Sequence, residues 1–152
     1  MKLLFVCSGN TCRSPLAEAL ARKMAADRGL TNLSFSSAGT GALDGGGASE
    51  GAILVGLERG IDLSSHRTRG LTRADLEQAD LVLVMGPHHL ESVRIQGAEE
   101  KAHLLDHYAS AGESARAIND PFGGTLDAYR ETAAELEYQI GRVLDRLVAQ
   151  RR

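Results

Sequence analysis

A thiol and a guanidinium lie six residues apart near the start of the chain, as Cys7 and Arg13. The stretch between them is polar and suited to turns, and consists of Ser8, Gly9, Asn10, Thr11 and Cys12. Successive backbone N–H groups of such a stretch can turn inward and form a nest for a tetrahedral oxyanion. The Arg13 guanidinium offers a planar fork of donors that matches two phosphate oxygens. The spacing therefore predicts a phosphate-binding loop, in which the Cys7 thiolate is placed for in-line attack at phosphorus.

Two further residues could complete such a reaction. Ser14 directly follows Arg13, and its hydroxyl can donate a hydrogen bond to the Cys7 thiolate. Asp120 lies beside Pro121, shortly before the last predicted helix. A carboxylic acid at that point can protonate the leaving group and then, as a base, activate water against a phosphocysteine. We therefore predict that Asp120 is the general acid and base.

The loop needs a strand and a helix to hold it, and the sequence predicts both. Residues 2–6 are apolar, with β-branched and aromatic side chains, and indicate a short buried strand. Ser14 as N-cap and Pro15 as first helical position indicate a helix, which Gly29 ends. Ligands of open α/β sheets bind at the carboxyl ends of strands, where Cys7 stands. The N-terminus of the helix favours an anion at the same place, because of its free N–H groups and its dipole.

Strands and helices alternate along the rest of the chain. We predict strands over residues 33–37, 81–85 and 102–105, and helices over residues 49–59, 71–78 and 87–95. The glycine-rich residues 39–47 indicate a flexible surface connection rather than a second phosphate cradle. An apolar stripe at helical spacing marks the last helix and consists of Leu126, Tyr129, Ala133, Leu136, Ile140, Val143 and Leu147. This order predicts one three-layer α/β/α domain over residues 1–152, with a four-stranded parallel sheet and the phosphate-binding loop after the first strand.

Composition narrows the class of protein. The chain has 152 residues, 17 basic and 20 acidic side chains, and a formal net charge of −3. This acidity, with three Tyr, three Phe and no Trp, argues against a nucleic-acid partner. The longest strongly apolar run, residues 81–85, is far too short to span a membrane, and the first residues lack a signal-peptide core. We expect a cytoplasmic protein without a membrane partner, whose two cysteines serve chemistry rather than a structural disulfide.

Each of these features also has a purely structural interpretation. A cysteine at a strand end is usually core packing, and an Asp-Pro pair before a helix is most often only a turn. The loop also lacks the Gly-Lys-Ser/Thr ending of a nucleotide-triphosphate loop. The catalytic interpretation is favoured because the thiol, the loop, the arginine and the helix start coincide at one strand end.

The segment over residues 6–15 resembles the phosphate-binding loop of the low-molecular-weight protein tyrosine phosphatases. Four later segments match the family's order and spacing, at residues 37–40, 60–67, 79–85 and 120–121. The resemblance covers essentially the whole chain. It implies a four-stranded parallel sheet, a phosphocysteine intermediate, and neither metal nor cofactor. It also implies a phosphorylated protein as substrate and an inorganic phosphate or similar oxyanion in the loop.

The same resemblance assigns roles to individual residues. It implies that Cys7 is the nucleophile, that Arg13 binds phosphate, that Asp120 is the general acid and that Ser14 tunes the thiolate. In the family a serine and a histidine hold the loop asparagine in a strained conformation, which implies that Ser37 and His66 support Asn10. For His66, a role on the surface or at a helix cap is the alternative. The family also implies that Cys12 can form a protective disulfide with Cys7, with a small buried side chain as the structural interpretation.

Two positions indicate a branch of the family. Thr11 stands where the tyrosine phosphatases usually have a bulky aliphatic residue, and Phe122 is followed by two glycines instead of further aromatic residues. Both features resemble the bacterial protein arginine phosphatases. Threonine is shorter than isoleucine and carries a hydroxyl, so it leaves room and a polar contact for a planar guanidinium. We therefore predict hydrolysis of phosphoarginine in proteins, with tyrosine phosphatase activity by the same mechanism as the alternative.

Three other functions are compatible with a thiol–oxyanion loop. An arsenate reductase is disfavoured because such relatives typically relay a disulfide through downstream cysteines, and none follows Cys12. A phosphocarrier domain would leave Arg13 and Asp120 without a hydrolytic purpose. A binding domain without turnover is disfavoured because the set of Cys7, Arg13 and Asp120 is intact.

Overall fold

Four parallel strands form the central sheet of the computed structural model, which describes residues 1–150. They are β1 (Lys2–Cys7), β2 (Ser34–Gly39), β3 (Leu81–Val84) and β4 (Ala102–Leu104). The strand order is β2-β1-β3-β4, and every neighbouring pair is parallel. The predicted four-stranded parallel sheet is confirmed. The last two residues of the domain predicted over residues 1–152 lie outside the described residues.

Helices cover both faces of this sheet. They are α1 (Arg13–Asp27), α2 (Glu50–Glu58), α3 (Arg73–Gln78), α4 (Pro87–Ile95), α5 (Leu105–Ala109) and α6 (Leu126–Gln150), with a 3-10 turn at Glu99–Lys101. Alternate β1 side chains point to opposite faces, as the two-residue period of a strand requires. Leu3 and Phe5 belong to a core cluster with α1, α2 and α6, whereas Leu4 and Val6 belong to one with α3 and α4. The predicted three layers are confirmed.

The long C-terminal helix α6 packs its apolar stripe against the core. Six of the seven stripe residues, from Tyr129 to Leu147, are buried, and Leu126 packs partly buried at the start. Spacings of three and four residues keep these side chains on one side of a helix. This stripe predicts α6 correctly, and burying it places the segment before α6, which carries Asp120, next to α1.

Two predictions about helices are wrong in detail, and one short helix is not predicted. Helix α1 begins at Arg13 with Cys12 as N-cap, because the Cys12 carbonyl already accepts the Leu16 N–H at 3.1 Å. Ser14 is therefore inside the first turn, where its hydroxyl serves other partners. Helix α3 begins at Arg73 rather than residue 71, because Thr72 and Asp75 form a capping box. Helix α5 follows β4 directly and is too short for its pattern to be seen in the sequence.

Among residues 1–150, no helix combines the length and the apolar character needed to cross a membrane.

Candidate active site

Cys7 is the last residue of β1 and is buried at the carboxyl end of the sheet. The loop of residues 8–12 follows it and leads into α1. The start of the glycine-rich segment packs directly on this loop, since the Thr40 and Gly41 amides donate to the Cys7 and Ser8 carbonyls at 2.9 and 3.0 Å. A side chain at Gly39 would place its Cβ 2.9 Å from the Asn10 nitrogen. This segment therefore begins as a close backbone support of the loop, and the prediction of a surface connection holds only for its later part.

A chain of hydrogen bonds leads to the Cys7 sulfur. The Asn10 Nδ2 group donates to Ser14 Oγ at 2.8 Å, and Ser14 Oγ lies 2.9 Å from Cys7 Sγ. Because Ser14 Oγ accepts from Asn10, its own proton is free to donate to the sulfur. All three side chains are buried. The Ser14 hydroxyl is thus placed to donate a hydrogen bond to the sulfur in its attacking form.

Asn10 has a left-handed backbone with φ of 57° and is held from several sides. Its Nδ2 group also donates to Ser37 Oγ at 3.0 Å, and its Oδ1 atom accepts the Arg69 backbone N–H at 2.9 Å. His66 Nε2 lies 2.8 Å from the Asn10 carbonyl oxygen, to which it donates as the N–H tautomer. The structure therefore brings Ser37 and His66 to the loop asparagine. Arg69 also supports Asn10, through its backbone N–H, and the sequence does not predict this contact.

Arg13 and Asp120 meet on the open side of the loop. One Arg13 guanidinium nitrogen donates to the Ile118 carbonyl at 3.0 Å, and another lies 3.5 Å from Asp120 Oδ2. The Arg13 side chain is 6% exposed and that of Asp120 51% exposed. The Ile118 amide donates to the Met85 carbonyl at 2.8 Å, which ties the Asp120 segment to the end of β3. Arg13 is thus a fixed cation, and Asp120 has access to both the loop and solvent.

A cavity of about 250 Å³ opens above the loop. Its lining includes every residue proposed for bond-making, and consists of Cys7, Ser8, Gly9, Thr11, Cys12, Arg13, Asp120 and Phe122. Among residues 1–150, no protein acceptor pairs with the backbone N–H groups of residues 9–12. Unpaired amides, a helix N-terminus and a buried guanidinium favour an anion at this place. The cavity therefore has the charge and the donors that suit an oxyanion such as a phosphoryl group beside Cys7.

Cys12 is buried and contacts residues from two later segments of the chain. Its Sγ atom lies 3.2 Å from Ser49 Oγ and 3.5 Å from the Tyr129 hydroxyl. Burial raises the pKa of the Tyr129 hydroxyl above its ordinary value, and the hydrogen bond to Cys12 raises it further. Cys12 and Cys7 are both buried free thiols. The sequence does not indicate that Ser49 and Tyr129 contact Cys12, because 37 and 117 residues separate them from it.

The chain resembles known proteins along its whole length. The family model described as low molecular weight phosphotyrosine protein phosphatase matches residues 2–152. The protein-arginine-phosphatase of Bacillus subtilis (strain 168) is 38% identical over 154 residues, which cover 100% of both chains.

Solved structures agree in fold. A cysteine-to-serine mutant of YwlE arginine phosphatase, with a phosphorylated active-site serine, superposes with a TM-score of 0.91 at 37% identity, covering 97% of this chain and 95% of that one. The tyrosine phosphatase Wzb from Escherichia coli K30, in complex with sulphate, gives a TM-score of 0.85 at 33% identity, covering 96% and 97%.

Proposed function

The chain belongs to the low molecular weight phosphotyrosine protein phosphatase family, and from this premise we propose that it hydrolyses phosphoarginine in proteins. As a member of this family it is a cysteine-dependent phosphoprotein phosphatase. The observation that carries the choice of substrate is the position of Thr11. Thr11 lines the same cavity as Cys7, Arg13 and Asp120, so it lies near whatever group leaves the phosphorus. The B. subtilis relative described as a protein-arginine-phosphatase supports the same choice.

In the first step the Cys7 thiolate attacks phosphorus and the bond from phosphorus to the guanidinium nitrogen breaks. The electron pair of that bond stays on nitrogen, which takes the proton of the Asp120 carboxylic acid. Arg13 pairs with two phosphoryl oxygens, and the free amides of residues 9–12 donate to the phosphoryl oxygens as well. Ser14 donates to the sulfur, which steadies the thiolate before attack. The products are a free arginine side chain and a phosphocysteine.

In the second step water attacks the phosphocysteine. Asp120, now a carboxylate, accepts a proton from that water as the new oxygen–phosphorus bond forms. The sulfur–phosphorus bond breaks, and Cys7 departs as a thiolate that again accepts the Ser14 hydrogen bond. Inorganic phosphate leaves the loop, and Asp120 is protonated for the next cycle. The half-exposed position of Asp120 gives water the access that this step needs.

The size and polarity of Thr11 suit a guanidinium leaving group. A guanidinium is planar, cationic and rich in N–H donors, and it gains from acceptors more than from apolar walls. Thr11 lines the cavity and carries a hydroxyl, and Asp120, once it has given up its proton, is a carboxylate that can pair with the departing guanidinium cation. Among the cavity-lining residues that the structure describes, Phe122 is the one aromatic side chain, and it is 68% exposed. Such a wall offers an aromatic ring little buried contact.

Two substitutions of Thr11 test this assignment. Thr11→Val keeps the shape of the side chain and removes the hydroxyl, whereas Thr11→Ile also adds bulk. We expect the ratio of kcat/KM for phosphoarginine to kcat/KM for phosphotyrosine to be lower in the Thr11→Val variant than in the wild-type chain. It should be lower still in the Thr11→Ile variant. The measurement uses matched phosphopeptides without added metal. If both ratios equal that of the wild-type chain, Thr11 does not select the substrate.

A further inference from the structure

His89 is a buried histidine that contacts the phosphate-binding loop from α4. It is fully buried, and its Nε2 atom lies 2.8 Å from Ser8 Oγ. Ser8 lines the cavity above Cys7, so the histidine touches a residue of the cavity wall without lining the cavity itself. None of the steps above uses either side chain. Because 81 residues separate Ser8 from His89 along the chain, no local sequence pattern indicates that they meet.

The surroundings of the imidazole decide which of its nitrogens carries the proton. Within residues 1–150, His89 Nδ1 is buried without a hydrogen-bond partner. A proton on Nδ1 would be a buried N–H group without an acceptor, which is costly, whereas a proton on Nε2 has Ser8 Oγ as its acceptor. The proton therefore lies on Nε2, which donates to Ser8 Oγ. Since Ser8 Oγ accepts this bond, its own hydroxyl proton remains free to donate elsewhere.

The charges around His89 favour the neutral ring. Burial, which is the largest cause, together with the neighbouring His88 and Arg13 lowers the pKa of His89 to about 4, although Asp120 acts in the opposite direction. The His88 ring lies at 3.8 Å between centroids and is tilted by 45° to the His89 ring. His88 is exposed, and its Nε2 atom is 3.4 Å from Ser8 Oγ. His89 therefore holds Ser8 as a neutral donor near pH 7.

We propose that His89 is a positioning residue, which holds the Ser8 hydroxyl so that it donates its proton to an oxygen of the bound phosphoryl group. The inference rests on the proposed function only in requiring a phosphoryl group in the loop. It does not depend on whether the group comes from arginine or tyrosine. Ser8 then adds a side-chain donor to the backbone amides and the Arg13 guanidinium.

Inorganic phosphate is the probe that tests this proposal. Its dissociation constant is measured by NMR titration of the full chain and of the variants Ser8→Ala, His89→Leu, His89→Gln and the double variant Ser8→Ala/His89→Leu. A hydrogen bond to a charged acceptor is worth enough to weaken phosphate binding about tenfold when Ser8→Ala removes it. We expect His89→Leu to weaken binding similarly and the double variant to be no weaker than Ser8→Ala. His89→Gln keeps an N–H donor and should restore most of the affinity. His107→Ala, at an exposed histidine of α5, is the control and should change the constant less than twofold.

Several results would overturn the proposal. Unchanged phosphate binding in Ser8→Ala would do so even if His89→Leu failed to fold. A double variant much weaker than Ser8→Ala would show that His89 acts through general packing. Histidine ¹⁵N shifts that place the neutral proton on Nδ1 would contradict the direction of the hydrogen bond. If the wild-type chain does not bind phosphate at all, the proposed function fails too; if it binds phosphate but prefers phosphotyrosine, only the substrate assignment fails.

Discussion

Substitution of Asn10 tests how much the loop depends on its internal hydrogen bonds. The Asn10 side chain makes three of them, with Ser14 Oγ, Ser37 Oγ and the Arg69 backbone N–H, at 2.8, 3.0 and 2.9 Å. At about 1 kcal/mol each, Asn10→Ala loses about 3 kcal/mol that now favours the loop conformation. If that energy holds the loop in its working shape, kcat/KM falls about 100-fold, since each 1.36 kcal/mol is a factor of ten.

The variant Asn10→Gly separates hydrogen bonding from backbone conformation. Glycine loses the same three bonds, but it adopts the left-handed backbone of residue 10 without the cost of about 1 kcal/mol that alanine carries there. Its kcat/KM should therefore exceed that of Asn10→Ala about fivefold. Steady-state hydrolysis of a small aryl phosphate gives both values, and thermal unfolding of each variant shows that the fold persists. More than half of wild-type activity in Asn10→Ala would refute this reasoning, and a glycine variant no better than alanine would refute the conformational part.

Three further predictions concern the reacting groups and the buried histidine. Cys7→Ser should abolish turnover while phosphate still binds; measurable steady-state turnover would exclude Cys7 as the nucleophile. Asp120→Ala should slow the first chemical step by about 10²–10⁴-fold, and Asp120→Asn equally, because an amide cannot transfer the proton; rapid-quench kinetics at the wild-type rate would place the acid elsewhere. The pKa of His89 falls from 6.5 to about 4 on folding, so between these two pH values the unfolded chain carries a proton on His89 that the folded chain does not. The free energy of unfolding therefore decreases by about 3 kcal/mol as the pH falls across that interval. His89→Gln should remove this part of the pH dependence in denaturant unfolding, and an unchanged slope between pH 6.5 and 4 would contradict it.

The hydrophobic patterns of single elements predict most of the strands and helices that position the site. The strand before Cys7, the helix after the loop and the stripe of α6 each follow from spacing within one element. These three elements suffice to place Cys7, Arg13 and Asp120 around one cavity, as the structure does. The pairing of Ser37 and His66 with Asn10 came from the family resemblance, since nothing in their local sequence indicates it.

The remaining features depend on contacts between distant segments. A serine followed by a proline is typical of a helix N-cap, so the sequence predicts that role for Ser14. In the structure the Ser14 hydroxyl instead hydrogen-bonds to Cys7 and Asn10, and the helix begins earlier. Arg69 supports Asn10 through its backbone N–H, a group that every residue except proline carries, so its side chain gives no signal. His89 lies in an ordinary helical segment, and only the packing of α4 against the loop reveals it.

The substrate assignment is tested most directly by comparing phosphoarginine and phosphotyrosine in matched peptides on the purified wild-type chain. Without added metal, kcat/KM should be much higher for phosphoarginine, because Thr11 and Asp120 face the leaving guanidinium with a hydroxyl and a carboxylate. A higher kcat/KM for phosphotyrosine would contradict the assignment while leaving the cysteine mechanism in place.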